Sequence, residues 1–282
     1  MTSTADKAAL LDSLHVPGKP LIVTNVWDAL SARAVADAPG VTAIASASHS
    51  VSNTRGFEDG EGMSVDQALD AARAITSAVD LPVSIDFERG YTRNLAKLRQ
   101  NIDRLIDAGA SGLNFEDSTG NPAAPLFPLA EQLDRIRTVR AAADAAGVPL
   151  VINARVDALV RGSDWDDALT RANAYLEAGA SVIFMLGLSD EAAVERAVAG
   201  VNGRVSTISG PNSVPLARLA ELGVSRVSFG PYTLGLVLAH LQAAAAQLTA
   251  LGDYPPELGF EYSLEAARRM SPLVVEDHYE EV

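Results

Sequence analysis

The chain has 282 residues, 22 Lys and Arg against 36 Asp and Glu, a net charge of −14 and no cysteine. That balance argues against nucleic acid and anionic membranes as partners. It also excludes disulfides, thiolate metal sites and a cysteine nucleophile or acid. With 48% hydrophobic residues the chain can fill one large core or two small ones.

In chain order, the segment Met1 to Leu14 is polar and mixed in charge, with no basic region ahead of an apolar core, so no secretion signal is expected. Short apolar runs then alternate with amphipathic stretches almost to the end. Strands are expected at Leu21–Thr24, Thr42–Ser46, Val83–Phe87, Gly112–Glu116, Leu150–Asn153, Ser181–Met185, Val205–Ile208 and Arg226–Phe229. Helices are expected near 28–38, 64–79, 93–108, 128–146, 165–178, 189–199, 214–222 and 232–251. The phrases Asp107-Ala-Gly-Ala-Ser111, Glu177-Ala-Gly-Ala-Ser181 and Glu221-Leu-Gly-Val-Ser225 put a glycine just past a helix, where the turn into the next strand needs it. Eight such alternations in roughly 250 residues match a (β/α)8 TIM barrel, with an open doubly wound sheet as the alternative. The segment Thr233 to Leu251 is Ala-rich but carries His240, Gln242 and Gln247, which reads as a packed helix and not a membrane span. We expect a soluble, cytoplasmic protein with one barrel domain over residues 1–282. A helical extension begins at about 252, where Gly and Pro cluster, and Ser263–Met270 reads as one further helix that packs on a neighbouring subunit.

In a barrel of this kind the chemistry sits at the C-terminal ends of the strands. The third strand ends on Asp86 and Glu88, and at positions i and i+2 of a strand both carboxylates leave on one side. The fourth strand adds Glu116. Three convergent carboxylates are costly to bury without a cation, and Mg²⁺, or Mn²⁺, held partly through water suits them. The alternative is an ion-pair network with Arg89 and Arg155. Arg155 closes the fifth strand, where a planar fork suits a carboxylate or phosphoryl group; a salt bridge to Asp157 or Glu116 is the other reading. Ser46 and Ser48, after the second strand, are placed to hold an anionic oxygen. His49 is the one histidine placed for a site.

Beyond it runs a long loop, Ser50 to Gly62, with glycines at 56, 60 and 62. A loop of that length in a compact barrel is usually functional, and we expect a mobile lid that brings Asp59 over the site. The plainer reading of Asp59 is a turn residue. Of Lys7, Lys19 and Lys97, none lies at the C-terminal end of a strand, which argues against a Schiff-base aldolase.

Five motifs in one order carry a resemblance: Asn25-Val-Trp-Asp-Ala-Leu-Ser-Ala32, Gly56-Phe-Glu-Asp-Gly-Glu61, Asp86-Phe-Glu-Arg-Gly-Tyr91, Asn114-Phe-Glu-Asp117 and Ile152-Asn-Ala-Arg-Val-Asp157. Over about residues 20–230 the chain resembles the isocitrate lyase / phosphoenolpyruvate mutase superfamily. The resemblance implies a (β/α)8 barrel, commonly a tetramer of dimers that exchange a C-terminal helix. It implies Mg²⁺ and a small anionic 2-oxo acid substrate whose C–C or P–C bond is broken or moved. It further implies Asp86, Glu88 and Glu116 at the metal, directly or through water. Arg155 is the implied substrate-binding arginine, Asp59 the loop acid, and Ser46 and Ser48 the holders of the substrate carboxylate.

The departures narrow the activity. Isocitrate and methylisocitrate lyases carry a Cys loop after the fourth strand; this chain reads Glu116-Asp-Ser-Thr-Gly-Asn-Pro-Ala-Ala-Pro125. Ser118 stands where phosphonopyruvate-type enzymes have a lysine, and Arg89 where a small residue is usual. The expectation is a Mg²⁺-dependent lyase that cleaves a C–C bond of a small 2-hydroxy or 2-oxo (di)carboxylic acid through a metal-stabilised enolate. A P–C bond enzyme and a non-catalytic 2-oxo acid binder are the alternatives. Asp59, His49 or a metal-bound water would serve as acid or base.

Overall fold

The structure, a computed structural model, describes residues 2–250 and 252–254. Its strands are β1 (Leu21–Val23), β2 (Asn25–Val26), β3 (Ile44–Ser46), β4 (Val83–Asp86), β5 (Gly112–Glu116), β6 (Val151–Val156), β7 (Val182–Met185), β8 (Val205–Ile208) and β9 (Arg226–Ser228). They pair in parallel in the order β1-β9-β8-β7-β6-β5-β4-β3-β2. β1 and β2 are one strand interrupted at Thr24. Its first half pairs with β9 (Leu21 beside Arg226) and its second with β3 (Asn25 beside Ala45), so this one strand closes the ring. The result is the (β/α)8 barrel expected from the alternation.

The helices follow their strands: α2 (Ala29–Ala36), α4 (Val65–Ser77), α5 (Leu95–Asp107), α6 (Leu129–Ala145), α7 (Trp165–Glu177), α8 (Glu191–Gly200), α9 (Leu216–Glu221) and α10 (Tyr232–Thr249). Several begin on a side chain that caps the first free amides. Asp28 accepts from the Ser31 amide, Ser64 from Gln67, Asn94 from Lys97 and Asp164 from Asp167. Strands covered by helices lose their polar/apolar alternation, and all five residues of β5 are buried.

Two helices lie outside the expected set. α1 (Thr4–Ser13) forms from the polar N-terminal segment through a reciprocal Ser3–Asp6 cap, and buries Ala8 and Leu11. Leu11 packs with Leu21, Val23, Ala43, Val151 and Val182, so α1 closes the N-terminal end of the barrel. α3 (Ser48–Thr54) occupies the first half of the expected Ser50–Gly62 loop, burying Ser50, Val51 and Ser52. That stretch is therefore not one open loop.

The chain separates into two compact units, one running to Leu234 and one from Gly235. The first unit holds all nine strands. In the second, the described part of α10 leaves Leu236, Val237, Leu238, Leu241 and Leu248 exposed. The helix expected at Ser263–Met270 lies outside the described residues. Among those that are described, no helix is long and apolar enough to cross a membrane.

The floor of the barrel carries a pH dependence. His15 is buried, with its Nδ1 2.7 Å from the Leu11 carbonyl. Burial and the nearby Arg226 and Arg204 guanidinium groups push it down from 6.5 to about 3. A depressed histidine is bound neutral by the fold, so its contribution is whole above pH 6.5 and is lost as pH falls from there toward 3. At about 1.4 kcal/mol per pH unit, roughly 2 kcal/mol should be gone at pH 5. The unfolding free energy of the wild type from denaturant titration should fall between pH 7 and pH 5 by that amount. The same curve for His15→Gln should be flatter; an unchanged slope would contradict the assignment.

Candidate active site

The C-terminal mouth of the barrel holds a cavity of about 100 Å³. Asn25, Ser48, His49, Asp59, Asp86, Asn114 and Arg155 line its polar side, and Phe184, Leu186 and Ile208 part of its apolar side. The polar groups come from strands β2 to β6 and the segment after β3, so the site is lopsided toward that half of the barrel, as the sequence implies.

Asp86 ends β4 and is held at both its backbone and its carboxylate. Its backbone amide donates to Ser46 Oγ at 2.8 Å, and its Oδ2 accepts from the Ser48 amide at 2.9 Å. Both contacts follow from topology. β3 and β4 are neighbours, and Ser48 opens α3, where a first-turn amide has no partner inside its own helix. Ser46 therefore lies beneath Asp86, outside the lining of the cavity, while Ser48 lies in it.

Glu88 departs from the strand-end picture. β4 stops at Asp86, and Glu88 lies in the following turn at φ 47°, a left-handed conformation rare for a non-glycine residue. The i, i+2 rule does not reach it. Its carboxylate accepts from Tyr91 Oη at 2.9 Å and from the Glu61 amide. Tyr91 N–H donates in turn to Glu61 Oε1 at 2.7 Å, and Arg89 Nη2 donates to the Gly60 carbonyl at 2.8 Å. In this structure the tip of the expected lid is thus tied to the turn after β4. Asp59, beside that tip, is exposed and lines the cavity.

Glu116 and Arg155 face each other across β5 and β6, where they are register partners. Arg155 Nη1 is 2.7 Å from Glu116, and its Nε and Nη2 grip Asp157 at 2.6 and 2.9 Å. Both alternative salt bridges are present at once. Three of the five guanidinium N–H groups are engaged in them, which leaves two for a ligand. Ser118 Oγ donates to Glu116 at 2.7 Å, and Arg89 lies 3.5 Å from it. Asp117 is fully buried and structural: it accepts from the Asp157 amide at 2.9 Å and from Tyr175 Oη at 2.8 Å. Asn25 is likewise a fastener. Its side chain donates to the Ser46 carbonyl and accepts from the Phe229 and Gly230 amides, across the barrel seam. His49 is exposed at the rim, beside Asn53 at 3.0 Å.

The carboxylates strain against one another. Burial pushes Asp86 up, while the Ser48 amide and Arg155 pull it back. Burial and the charges of Asp86, Asp59 and Glu116 push Glu88 up to about 8, against the Tyr91 hydrogen bond. Burial also raises Glu116, and Arg155 opposes it. Among the described residues, no three His, Asp or Glu side chains converge closely enough to hold an ion by themselves. Glu88 and Glu116 each have protein donors of their own, and Asp86 lines the cavity between them and Asp59. This donor set fits a hard divalent ion held directly by Asp86, which keeps most of its water and meets the other acids through it. It does not fit a cage of three direct carboxylates.

Comparison with known proteins places the chain. Residues 11–249 match the family model for phosphoenolpyruvate phosphomutase. The chain is 31% identical over 252 residues to 2-methylisocitrate lyase of Escherichia coli, covering 82% of this chain and 83% of that one. It is 35% identical over 181 residues to phosphoenolpyruvate phosphomutase of Streptomyces hygroscopicus, covering 61% and 56%. Its fold matches the crystal structure of 2,3-dimethylmalate lyase with a TM-score of 0.81 at 20% identity, covering 96% of this chain and 95% of that one. The chain belongs to the phosphoenolpyruvate phosphomutase family and, through it, to the PEP mutase/isocitrate lyase superfamily of enzymes.

Proposed function

We propose that the chain is a Mg²⁺-dependent lyase that cleaves a C–C bond of a small 2-oxo or 2-hydroxy acid and releases an enolate. The observation that carries this reading is the cavity that Asp86, Asn114 and Arg155 line together at the barrel mouth. When bound beside Asp86, the ion would supply positive charge next to the developing enolate oxygen. Arg155 is held rigid by Glu116 and Asp157, so its remaining donors are fixed in advance toward a substrate oxygen. Ser48 and Asn114 orient the acid end. Phe184, Leu186 and Ile208 exclude water from the reacting carbon. Asp59 at the rim is the group placed to take or return a proton, with His49 beside it.

The S. hygroscopicus relative keeps a P–C reaction in view. Ser118, bonded to Glu116 where that chemistry has a lysine, counts against it. The exposed apolar face of α10 supports a homo-oligomer, a dimer or a tetramer.

One experiment separates the readings. The enzyme is offered a panel of 2-hydroxy and 2-oxo diacids together with phosphonopyruvate, with Mg²⁺ and then with EDTA. Release of pyruvate or glyoxylate from a diacid, lost in EDTA and restored by Mg²⁺ or Mn²⁺, is the expected result. Turnover of phosphonopyruvate alone would establish the P–C reading. Ligand binding without turnover across the panel would leave a 2-oxo acid binding protein.

A further inference from the structure

Arg226 opens β9, and its side chain crosses the barrel interior with none of its surface exposed. Its Nη1 lies 3.2 Å from Ser84 Oγ and its Nη2 3.5 Å from Asn114 Oδ1, while its Nε has no partner among the described residues. Both contacts are with neutral groups. Burial pulls the guanidinium down to about 10, and the charge of Asp86 opposes that pull. A buried charge is ordinarily paired with an acid in direct contact, and one that is not weighs against the fold. An apolar side chain of similar length would remove that penalty. The proposed function makes no use of this residue, yet one of its two contacts lines the cavity.

That contact is Asn114. It sits in the middle of β5, in register with Asp86 of β4 on one side and Asn153 of β6 on the other. Asn114 Oδ1 accepts from Asn153 Nδ2 at 2.8 Å and from Arg226 Nη2 over the longer 3.5 Å. The two ends of an amide have nearly the same shape, so the pairing with Asn153 does not by itself decide which end of Asn114 meets the cavity. Turning both amides over keeps a hydrogen bond between them, now from Asn114 Nδ2 to Asn153 Oδ1, an atom that has no partner in the observed arrangement. With a cation beside Asp86 the overturned pair would gain further, because it presents the Asn114 oxygen to the ion. Arg226 breaks the tie. A guanidinium carries donors only, so the end of Asn114 that faces it has to be the oxygen. The Nδ2 end, with two donors, is left on the cavity side.

We infer that Arg226 is a positioning residue: from inside the barrel it locks the Asn114 amide with its N–H groups toward the cavity, where they donate to an oxygen of the bound acid. The inference rests on the proposed function, in which Asn114 orients the acid end, and adds the buried residue that makes Asn114 a donor there.

Oxalate, small enough for the cavity of about 100 Å³, is the probe, titrated by calorimetry with Mg²⁺ present. Arg226→Met should be as stable in urea as wild type or more so, since it removes a buried charge. It should nevertheless bind oxalate about tenfold more weakly, the scale of one hydrogen bond to a charged group. In an Asn114→Ala background the same substitution should change oxalate affinity by less than about twofold, because the group through which Arg226 acts is gone. Arg226→Lys, also a donor-only cation, should recover part of the loss. Asn114→Asp keeps an oxygen toward Arg226 and puts a second one on the cavity, so it should bind oxalate more weakly than Asn114→Ala. Equal losses from Arg226→Met in the two backgrounds would overturn the inference, as would an Arg226→Met protein that binds oxalate like wild type or does not fold. Oxalate bound by Asn114→Asp as tightly as by wild type would overturn it too. All of these outcomes leave the proposed function standing. Failure of oxalate to bind folded wild type would overturn that function and this inference with it.

Discussion

Asp86→Ala is expected to lower kcat by about a thousandfold or more while the barrel stays folded, because on the proposed function the variant removes the cavity carboxylate that would hold the metal directly. The structural cost is small by comparison. The Ser48 amide loses its acceptor, worth about 1 kcal/mol. Against this, the fold no longer buries a carboxylate whose neutral form burial favours. Steady-state kinetics and a thermal melt read the two effects separately. A folded Asp86→Ala protein with more than about a tenth of wild-type kcat would remove Asp86 from the chemistry.

Arg155→Met should have the largest effect on stability. The arginine stands between Glu116 and Asp157, both buried, with contacts of 2.7 and 2.6 Å. Removing it leaves two carboxylates desolvated and facing each other. Breaking a buried pair from one side costs about 3–5 kcal/mol, most of it the penalty of the charge left behind. Activity should vanish as well, since on the proposed function Arg155 binds the substrate oxygen. Adding Glu116→Gln should return part of the lost stability, because one of the stranded charges is then gone. Urea unfolding of the wild type and both variants measures this. A loss below about 1 kcal/mol in Arg155→Met would show that solvent screens these charges far more than their burial implies.

The barrel was legible in the sequence because each βα unit carries its own local signals: an apolar run, a cap, a glycine. The positions of Asp86, Glu116 and Arg155 at or next to strand ends were legible for the same reason, since strand ends are where a barrel delivers side chains. Other features depend on contacts that local pattern cannot encode. The alternation that places Glu88 beside Asp86 fails because the chain turns left-handed at Glu88, a conformation that the tie to Glu61 and Tyr91 accompanies. α3 is written in Ser-His-Ser-Val-Ser-Asn-Thr, residues of poor helix propensity, and its buried face accounts for the helix better than its composition does. α1 was passed over because two buried residues in ten leave almost no periodic signal. Arg226 shows the same limit. It reads as the polar start of a strand, yet it is fully buried and reaches across the barrel to Ser84 on β4, 3.2 Å away.

Oxalate binding measured by calorimetry, with and without Mg²⁺, in wild type and in Asp86→Ala, tests the central claim most directly. Oxalate mimics the enolate of a small 2-oxo acid, and its size suits the cavity of about 100 Å³ at the barrel mouth. The account predicts binding to wild type that appears with Mg²⁺ and is abolished by EDTA, and no binding to the folded variant under either condition. Equal affinity in wild type with and without the ion, or undiminished Mg²⁺-dependent binding in Asp86→Ala, would contradict it.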